Sequence, residues 1–315
     1  MAAFTAERVV VFGAGALGSA IGAKLSRRLP VTLVGRPRHV RAIRERGLRV
    51  SGFDDFVADV DAAESLPEVT PGTLALVTVK LFDLDAAADA LAAALPAEGC
   101  LVLPVMNGLH PERRLRERLG PGRPVVRGVA MFGATLEGPG HVSYWGGGVK
   151  LGPSEHSGRL ADSFASAGIE CEVAGDFDEL VWRKFAVNCI WNPLTAVLGV
   201  RNSRLVTPEL DLLRRRVAEE CAAVARAEGV TLAGDFAETT DRALEQSNNR
   251  SSMLQDITRR ARTENEYLSG ELVRLAEAHG IAAPASALLR DLVAAIEEMP
   301  VAARPASLDT AAARP

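Results

Sequence analysis

Three polar side chains stand four residues apart in an otherwise apolar stretch, residues 180–196, LVWRKFAVNCIWNPLTA: they are Lys184, Asn188 and Asn192. On an α-helix that spacing stacks them on one face. Core packing asks for none of them, because an ammonium and two carboxamides among Leu, Val, Trp, Phe and Ile cost free energy unless each finds a partner. Two readings are open. Taken singly, Lys184 carries its charge out to solvent along an aliphatic stem, and each Asn is satisfied by nearby backbone. Taken together, three at one spacing favour a cleft that offers one proton donor and two amides to a small polar ligand.

The second constellation lies at the start of the chain. Arg8-Val9-Val10-Val11-Phe12 is a short β-branched run suited to a strand buried on both faces of a parallel sheet, and it runs directly into Gly13-Ala14-Gly15-Ala16-Leu17-Gly18. A helix from Ser19 and a strand over residues 30–36 complete a βαβ unit. A GxGxxG in that setting is a dinucleotide-binding turn; elsewhere it is a turn with spare glycines. Gly13 permits the tight turn, Gly15 lets a pyrophosphate approach the backbone, Gly18 allows close helix packing, and the helix N-terminus faces the anion. Where an NAD-binding chain carries Asp or Glu for the ribose hydroxyls, this one has Gly35-Arg36, followed by Arg38, His39 and Arg41. A guanidinium can grip a 2′-phosphate with two hydrogen bonds, which favours NADPH over NADH with Arg36 as the main contact. The other charges read as a solvated loop. Two further apolar runs, residues 74–79 and 100–105, end at Lys80 and at Met106-Asn107-Gly108. Carboxyl ends of strands are where open α/β sheets bind ligands; a strand-end Lys in solvent and an Asn-Gly turn are the plain alternatives.

Those elements need a scaffold. The chain has 315 residues, 48% apolar and 24% charged, enough for two domains with proper cores. A net charge of −4 supplies no electrostatic reason to expect nucleic acid or an anionic membrane. No window spans a bilayer, and the N-terminus lacks a basic region leading into a cleavable apolar run. Cys100, Cys171, Cys189 and Cys221 are scattered without metal spacing, the His are dispersed, and reduced thiols in a cytoplasm are expected, with no metal. After residue 80 come an Ala-rich helix over 83–95 and strand-like runs over 125–134, 141–144 and 149–152, expected to close the sheet with antiparallel strands. Around residues 175–179 the pattern switches from short β-branched runs to long helical periods. The expected organisation is therefore α/β: an N-terminal Rossmann-type dinucleotide-binding domain over 1–177, an all-α C-terminal domain over 178–300, and a disordered tail over 301–315. In the helical part, 208–228 and 236–245 read as helices, with Arg214-Arg215-Arg216 a solvated face. Residues 249–280 read as mostly helical, and a last helix runs over 284–298.

With these motifs in order, the chain resembles the ketopantoate reductase (2-dehydropantoate 2-reductase) family up to about Pro300. The resemblance rests on GAGALGSAIGAKL from Gly13, Arg36 after the second strand, VTVK ending at Lys80, MNG at Asn107, WRKFAVNCIWNPLTA, and NNRSSMLQDITRRARTENEYLSG from Asn248. It implies NADP(H) as cofactor and a small 2-keto acid as substrate, with Lys184 the proton donor to the carbonyl oxygen. It further implies that Asn188, Asn192 and Asn202 hold substrate, and that Asn249 and Ser252 take its carboxylate and hydroxyl. Glu264 falls on a position near the cofactor and the catalytic Lys; Asn107, Lys80 and Ala134 fall on cofactor-contacting positions, Asn107 also on a substrate one. Hydride delivered to a 2-keto carbon leaves an alkoxide that must be stabilised and protonated, which Lys184 can do, and Glu264 beside it would keep the ammonium charged.

Two departures bear on substrate. Members commonly have Gln before Asn-Gly where this chain has Met106, and a Thr-rich segment near the nicotinamide is Val129-Ala130-Met131 here. The main expectation is reduction of ketopantoate in pantothenate and coenzyme A synthesis by a monomer or homodimer. The alternatives are the same chemistry on another 2-keto acid, as in D-mandelate dehydrogenases, and a non-catalytic NADPH sensor, against which intact Lys184 and Glu264 argue.

Overall fold

The computed structural model describes residues 4–245 and 247–299; the tail expected over 301–315 lies outside them. The chain forms two compact units, Met1–Phe177 and Asp178–Pro315.

In the first unit, β1 (Arg8–Phe12) leads to α1 (Ala16–Leu25), β2 (Val31–Val34) and α2 (Pro37–Arg46). Then come the short strands β3 (Leu48–Gly52), β4 (Phe56–Ala58) and β5 (Asp61–Ala63), followed by β6 (Thr73–Val77), α3 (Leu84–Ala94), β7 (Leu101–Pro104) and α4 (Pro111–Leu119). The main sheet has the order β5-β2-β1-β6-β7 with every pairing parallel. All five residues of β6 and all four of β7 are buried, as expected of strands covered on both faces. The chain leaves β1 towards β2 and later returns to β6 on its other side, so the topological switch lies beside the glycine-rich turn.

The rest of the unit is β8 (Gly128–Ala130), β9 (Ala134–Gly138), β10 (His141–Tyr144), β11 (Gly148–Leu151), α5 (Ser157–Ser166) and β12 (Glu170–Val173). These strands do not close the main sheet. They build two small mixed sheets, β4-β3-β10-β9 and β12-β11-β8. β10 runs parallel to β3 and antiparallel to β9; β11 runs antiparallel to β8 and parallel to β12. Among the described residues, the outer edge of β7 and the residue after it take two isolated bridges, Val102 to Val125 and Val105 to Gly128. Pro104 brings no N–H to that ladder and Pro124 none to the facing segment, which denies a continuous pairing there.

The second unit consists of α6 (Phe177–Leu198), whose first residue ends the first unit, then α7 (Pro208–Ala227), α8 (Phe236–Glu245), α9 (Ser252–Thr258), α10 (Ser269–Ala278) and α11 (Pro284–Glu298). The Trp182 and Phe185 rings meet edge to face at 5.5 Å between centroids, both buried. Glu220 is buried because it caps α11: its carboxylate accepts from Ala285 N at 3.0 Å, Ser286 N at 2.8 Å and Ser286 Oγ at 2.7 Å.

One expectation needs correction here. Arg214 is not on a solvated face; it is 3% exposed and makes a bidentate pair with Asp241 at 2.8 and 2.9 Å while donating to Leu205 O at 2.6 Å. Only Arg215 and Arg216 face water. Residues 249–280 are mostly helical, as expected, with a break between α9 and α10. α9 ends in a Schellman motif, with Arg260 at φ 60°, Arg260 N donating to Ile257 O at 3.0 Å and Ala261 N to Asp256 O at 2.9 Å. The chain then passes through an irregular stretch to a 3-10 turn at Asn265–Tyr267 before α10.

Candidate active site

The glycine-rich turn is built as its spacing demands. Gly13 has φ +113°, and a Cβ on it would lie 2.7 Å from Val79 N, so the position excludes any side chain. A Cβ on Gly18 would overlap Thr78 Oγ1 and Gly13 O; its absence lets α1 sit against the segment that follows β6. Thr78 Oγ1 donates to Gly13 O at 2.8 Å and holds the turn shut. Gly15 differs from both: a Cβ there would meet nothing within 4 Å. Gly13 N and Ala14 N both donate to Val34 O, at 3.1 and 2.8 Å. The first turn of α1 has Gly15 as N-cap, no side-chain cap and no acidic residue, which leaves the Ala16, Leu17 and Gly18 amides free of a side-chain acceptor. Open space over amide donors at a helix N-terminus fits a pyrophosphate.

At the end of β2, Arg36 is exposed, and its guanidinium has no hydrogen bond or ion pair among the described residues. Arg38 and Arg41 are exposed as well, on α2 rather than on a loop. His39 does not belong with them. It is 4% exposed, takes Gly140 N at Nδ1 (2.9 Å) and bonds Ser19 Oγ through Nε2 (3.1 Å), and burial lowers its pKa. Lys80 is half-buried just beyond β6, as N-cap of the 3-10 turn Leu81–Asp83. Asn107 is half-buried beyond β7, before Gly108 at φ +84°. Ala134 opens β9, opposite Tyr144.

Sequence reasoning passed over Arg127, which sets the Asn107 loop. Arg127 is 6% exposed and donates to Met106 O at 2.7 Å and to Gly108 O at 3.3 Å, on either side of Asn107. Its ion pair with Glu112, at 3.7 Å, is long, and burial lowers its pKa to about 10. The available signal was a lone cation in the β-branched run after Pro124. Met106 itself is 8% exposed, a core side chain, whereas Met131 is 44% exposed.

In the second unit, α6 carries Lys184, Asn188 and Asn192 one turn apart on one face. Asn188 and Asn192 are 7% and 4% exposed and Lys184 is half-buried. The Lys184 ammonium has no hydrogen bond or ion pair among the described residues, and burial alone lowers its pKa below the ordinary lysine value. The raising influence expected from Glu264 is not part of that shift; Glu264 is 5% exposed, just ahead of the 3-10 turn at Asn265–Tyr267. Asn192 Nδ2 lies 3.5 Å from Ser252 Oγ, which joins α6 to the first residue of α9. Asn202 N donates to Asn249 O at 3.0 Å and Asn202 Nδ2 to Ser247 Oγ at 3.0 Å. Asn202 Oδ1 is buried with no partner among the described residues, so an acceptor is left over there. Asn249 lies in coil, with Oδ1 accepting from Arg250 N at 2.9 Å, so it shares no helix face with Ser252. The structure thus draws Asn192 to Ser252 and Asn202 to Asn249.

Among the described residues no group of three or more His, Cys, Asp or Glu could hold a metal, and no helix is long and apolar enough to cross a membrane.

A doubly wound parallel sheet with an uncapped glycine turn at its switch point, followed by a helical unit bearing a desolvated lysine among amides, defines the dinucleotide-dependent reductases as the class. The chain belongs to the ketopantoate reductase family: residues 9–155 match the family model Ketopantoate reductase PanE/ApbA, and residues 176–297 match Ketopantoate reductase PanE/ApbA C terminal. It is an oxidoreductase of that family. A 2-dehydropantoate 2-reductase of Pyrococcus horikoshii is 34% identical over 302 residues, covering 93% of this chain and 98% of the relative. One of Archaeoglobus fulgidus is 34% identical over 301 residues, covering 92% and 98%. Among solved structures, a PanE/ApbA family ketopantoate reductase of Ralstonia eutropha superposes with TM-score 0.86 at 37% identity, covering 92% of this chain and 98% of that one. A D-mandelate dehydrogenase in ternary complex with NADH and anilino(oxo)acetate superposes with TM-score 0.85 at 25% identity, covering 92% and 98%.

Proposed function

We propose that this protein reduces 2-dehydropantoate to (R)-pantoate with NADPH, with Lys184 as proton donor, in pantothenate and coenzyme A synthesis. The observation that carries the chemistry is the Lys184 ammonium on α6, desolvated, unpaired among the described residues, and one turn from Asn188. Bound NADPH supplies a hydride to the carbonyl carbon of the keto acid. Lys184 stabilises the charge that develops on the carbonyl oxygen and gives that oxygen its proton from Nζ. Burial lowers its pKa below the ordinary lysine value, which makes it a better donor than an exposed lysine. Asn188 and Asn192 orient the substrate, Asn249 and Ser252 take its carboxylate and hydroxyl, and Asn202 offers its unpaired Oδ1 to a substrate hydroxyl. Glu264 acts from near the cofactor and Lys184.

The first unit fits the dinucleotide on its own geometry. Gly13 to Gly18 would hold the pyrophosphate, with Ala14, Ala16 and Leu17 contributing backbone. Lys80, Asn107 and Ala134 would line the rest. Arg36 supports NADPH over NADH: it is an exposed guanidinium, unpaired among the described residues, standing where a carboxylate would serve the ribose hydroxyls.

Oxidation of NADPH, followed by absorbance, against 2-dehydropantoate and a panel of aromatic and longer 2-keto acids tests the reading. Turnover is expected to be fastest on 2-dehydropantoate and faster with NADPH than with NADH. Slow turnover of 2-dehydropantoate beside fast turnover of an aromatic keto acid would move the chain to the mandelate-type reaction. No turnover of any keto acid would leave a dinucleotide-binding sensor.

A further inference from the structure

Two hydroxyls outside the residues named so far join α6 to the start of α9. Thr195 is fully buried on α6, and its Oγ1 lies 2.8 Å from Trp191 O and 3.0 Å from Asn192 O. Helix carbonyls only accept, so Thr195 is the donor in any bond to them. Thr195 Oγ1 also lies 2.5 Å from Ser251 Oγ, a bond in which either hydroxyl can donate. Ser251 in turn is the N-cap of α9 and accepts from Leu254 N at 3.1 Å. The bonds form one continuous chain from the Leu254 amide through Ser251 and Thr195 to the α6 backbone. A buried hydroxyl pair is costly unless satisfied, and this one is satisfied only in one register of α9 against α6.

That register fixes something else. Ser252 follows Ser251, and Asn192 precedes Thr195 by three residues, so the hydroxyl pair sets the 3.5 Å approach of Asn192 Nδ2 to Ser252 Oγ. Apolar contact could hold two helices together, but it would not hold two polar side chains at a defined spacing. We propose that Thr195 and Ser251 are positioning residues for the 2-keto acid: their hydrogen bond keeps Asn192 and Ser252 at the spacing that receives the substrate's polar end. This rests on the assignment of Asn192 and Ser252 to substrate made above.

The test is steady-state kinetics of the full chain with 2-dehydropantoate and NADPH, each varied in turn. Thr195→Val keeps the volume and removes the hydroxyl. It is expected to raise KM for the keto acid roughly 10-fold, the weight of one lost hydrogen bond in a positioning array, with kcat changed by less than about 3-fold and KM for NADPH unchanged. Ser251→Ala should do the same, the double variant should be no worse than the worse single one, and Thr195→Ser should bring KM back to within about 2-fold of wild type. Unchanged KM in Thr195→Val, beside a raised KM in Ser252→Ala, would overturn the positioning role while leaving the substrate site in place. Unchanged KM in both Asn192→Ala and Ser252→Ala would remove the substrate site and this proposal with it. A rise in KM for both substrates that Thr195→Ser does not relieve would mark general damage and likewise overturn it. Should Thr195→Val fail to fold, Ser251→Ala decides by the same criterion.

Discussion

Replacing Gly15 by Ala separates the binding role of the glycine turn from its structural one. Gly15 has φ −82° and ψ −163°, extended backbone that alanine adopts freely, and beyond the adjoining backbone a Cβ there meets nothing within 4 Å among the described residues. The folded chain should hardly register the methyl. A few tenths of a kcal/mol lost at an N-cap are offset by about 0.4–1 kcal/mol from the stiffer unfolded chain, so Tm should stay within roughly 2 °C of wild type. The dinucleotide should register it strongly. The methyl would enter the open space at the N-terminus of α1, where a pyrophosphate oxygen would approach an amide donor to about 2.9 Å. Losing one charge-assisted hydrogen bond, about 1.5–3 kcal/mol, raises Kd for NADPH roughly 10- to 100-fold. Fluorescence titration of NADPH beside thermal unfolding of the free protein measures both. Gly18→Ala is the counterpart: its Cβ overlaps Gly13 O and Thr78 Oγ1, and overpacking of about 1–3 kcal/mol should lower Tm by several degrees before any ligand is added. A Gly15→Ala protein of normal Tm that binds NADPH as wild type does would refute the placement of the pyrophosphate at this turn.

For Arg36→Asp, the ratio of kcat/KM for NADPH to that for NADH should fall by about 10-fold or more, since a carboxylate repels a 2′-phosphate and accepts from ribose hydroxyls; an unchanged ratio would place the phosphate elsewhere. A proton donor works while protonated, so the rate should fall as pH rises through the Lys184 pKa. Because burial lowers that pKa, the alkaline limb of kcat/KM should lie below the ordinary lysine range. Lys184→Ala should cost roughly 10²-fold in kcat and abolish the limb; a limb that persists in the variant belongs to another group. Arg214→Met strips a buried cation from Asp241 and from Leu205 O, and should cost about 3 kcal/mol in urea unfolding without changing KM for either substrate. An unchanged urea midpoint would show that water replaces the guanidinium.

Features set by a few consecutive residues were legible in the chain itself. The turn at Gly13 is written in its spacing because only glycine takes φ +113° with backbone 2.7 Å from where Cβ would be. The strands β6 and β7 announce themselves because a strand buried on both faces must be apolar at every position. α6 puts Lys184, Asn188 and Asn192 on one face because helical pitch is the same in every context. Partners far apart in the chain were not legible. β10 pairs with β3, some ninety residues away, and nothing local in His141 to Tyr144 distinguishes that edge from the edge of β7. His39 sits among arginines in sequence, yet it turns inward to Gly140 and Ser19.

Composition and spacing alone therefore determined an α/β dinucleotide-binding half, a helical half, and a lysine with two amides on one helix face, since each depends on local dihedrals, helical pitch or full burial. Only the tertiary structure decided that Arg214 is a buried tie, that α9 ends in a Schellman turn, that Arg127 grips both sides of Asn107, and that Ser251 meets Thr195 across 56 residues of chain. A buried hydrogen bond gains its strength from the low dielectric around it, and that environment exists only after the helices have packed.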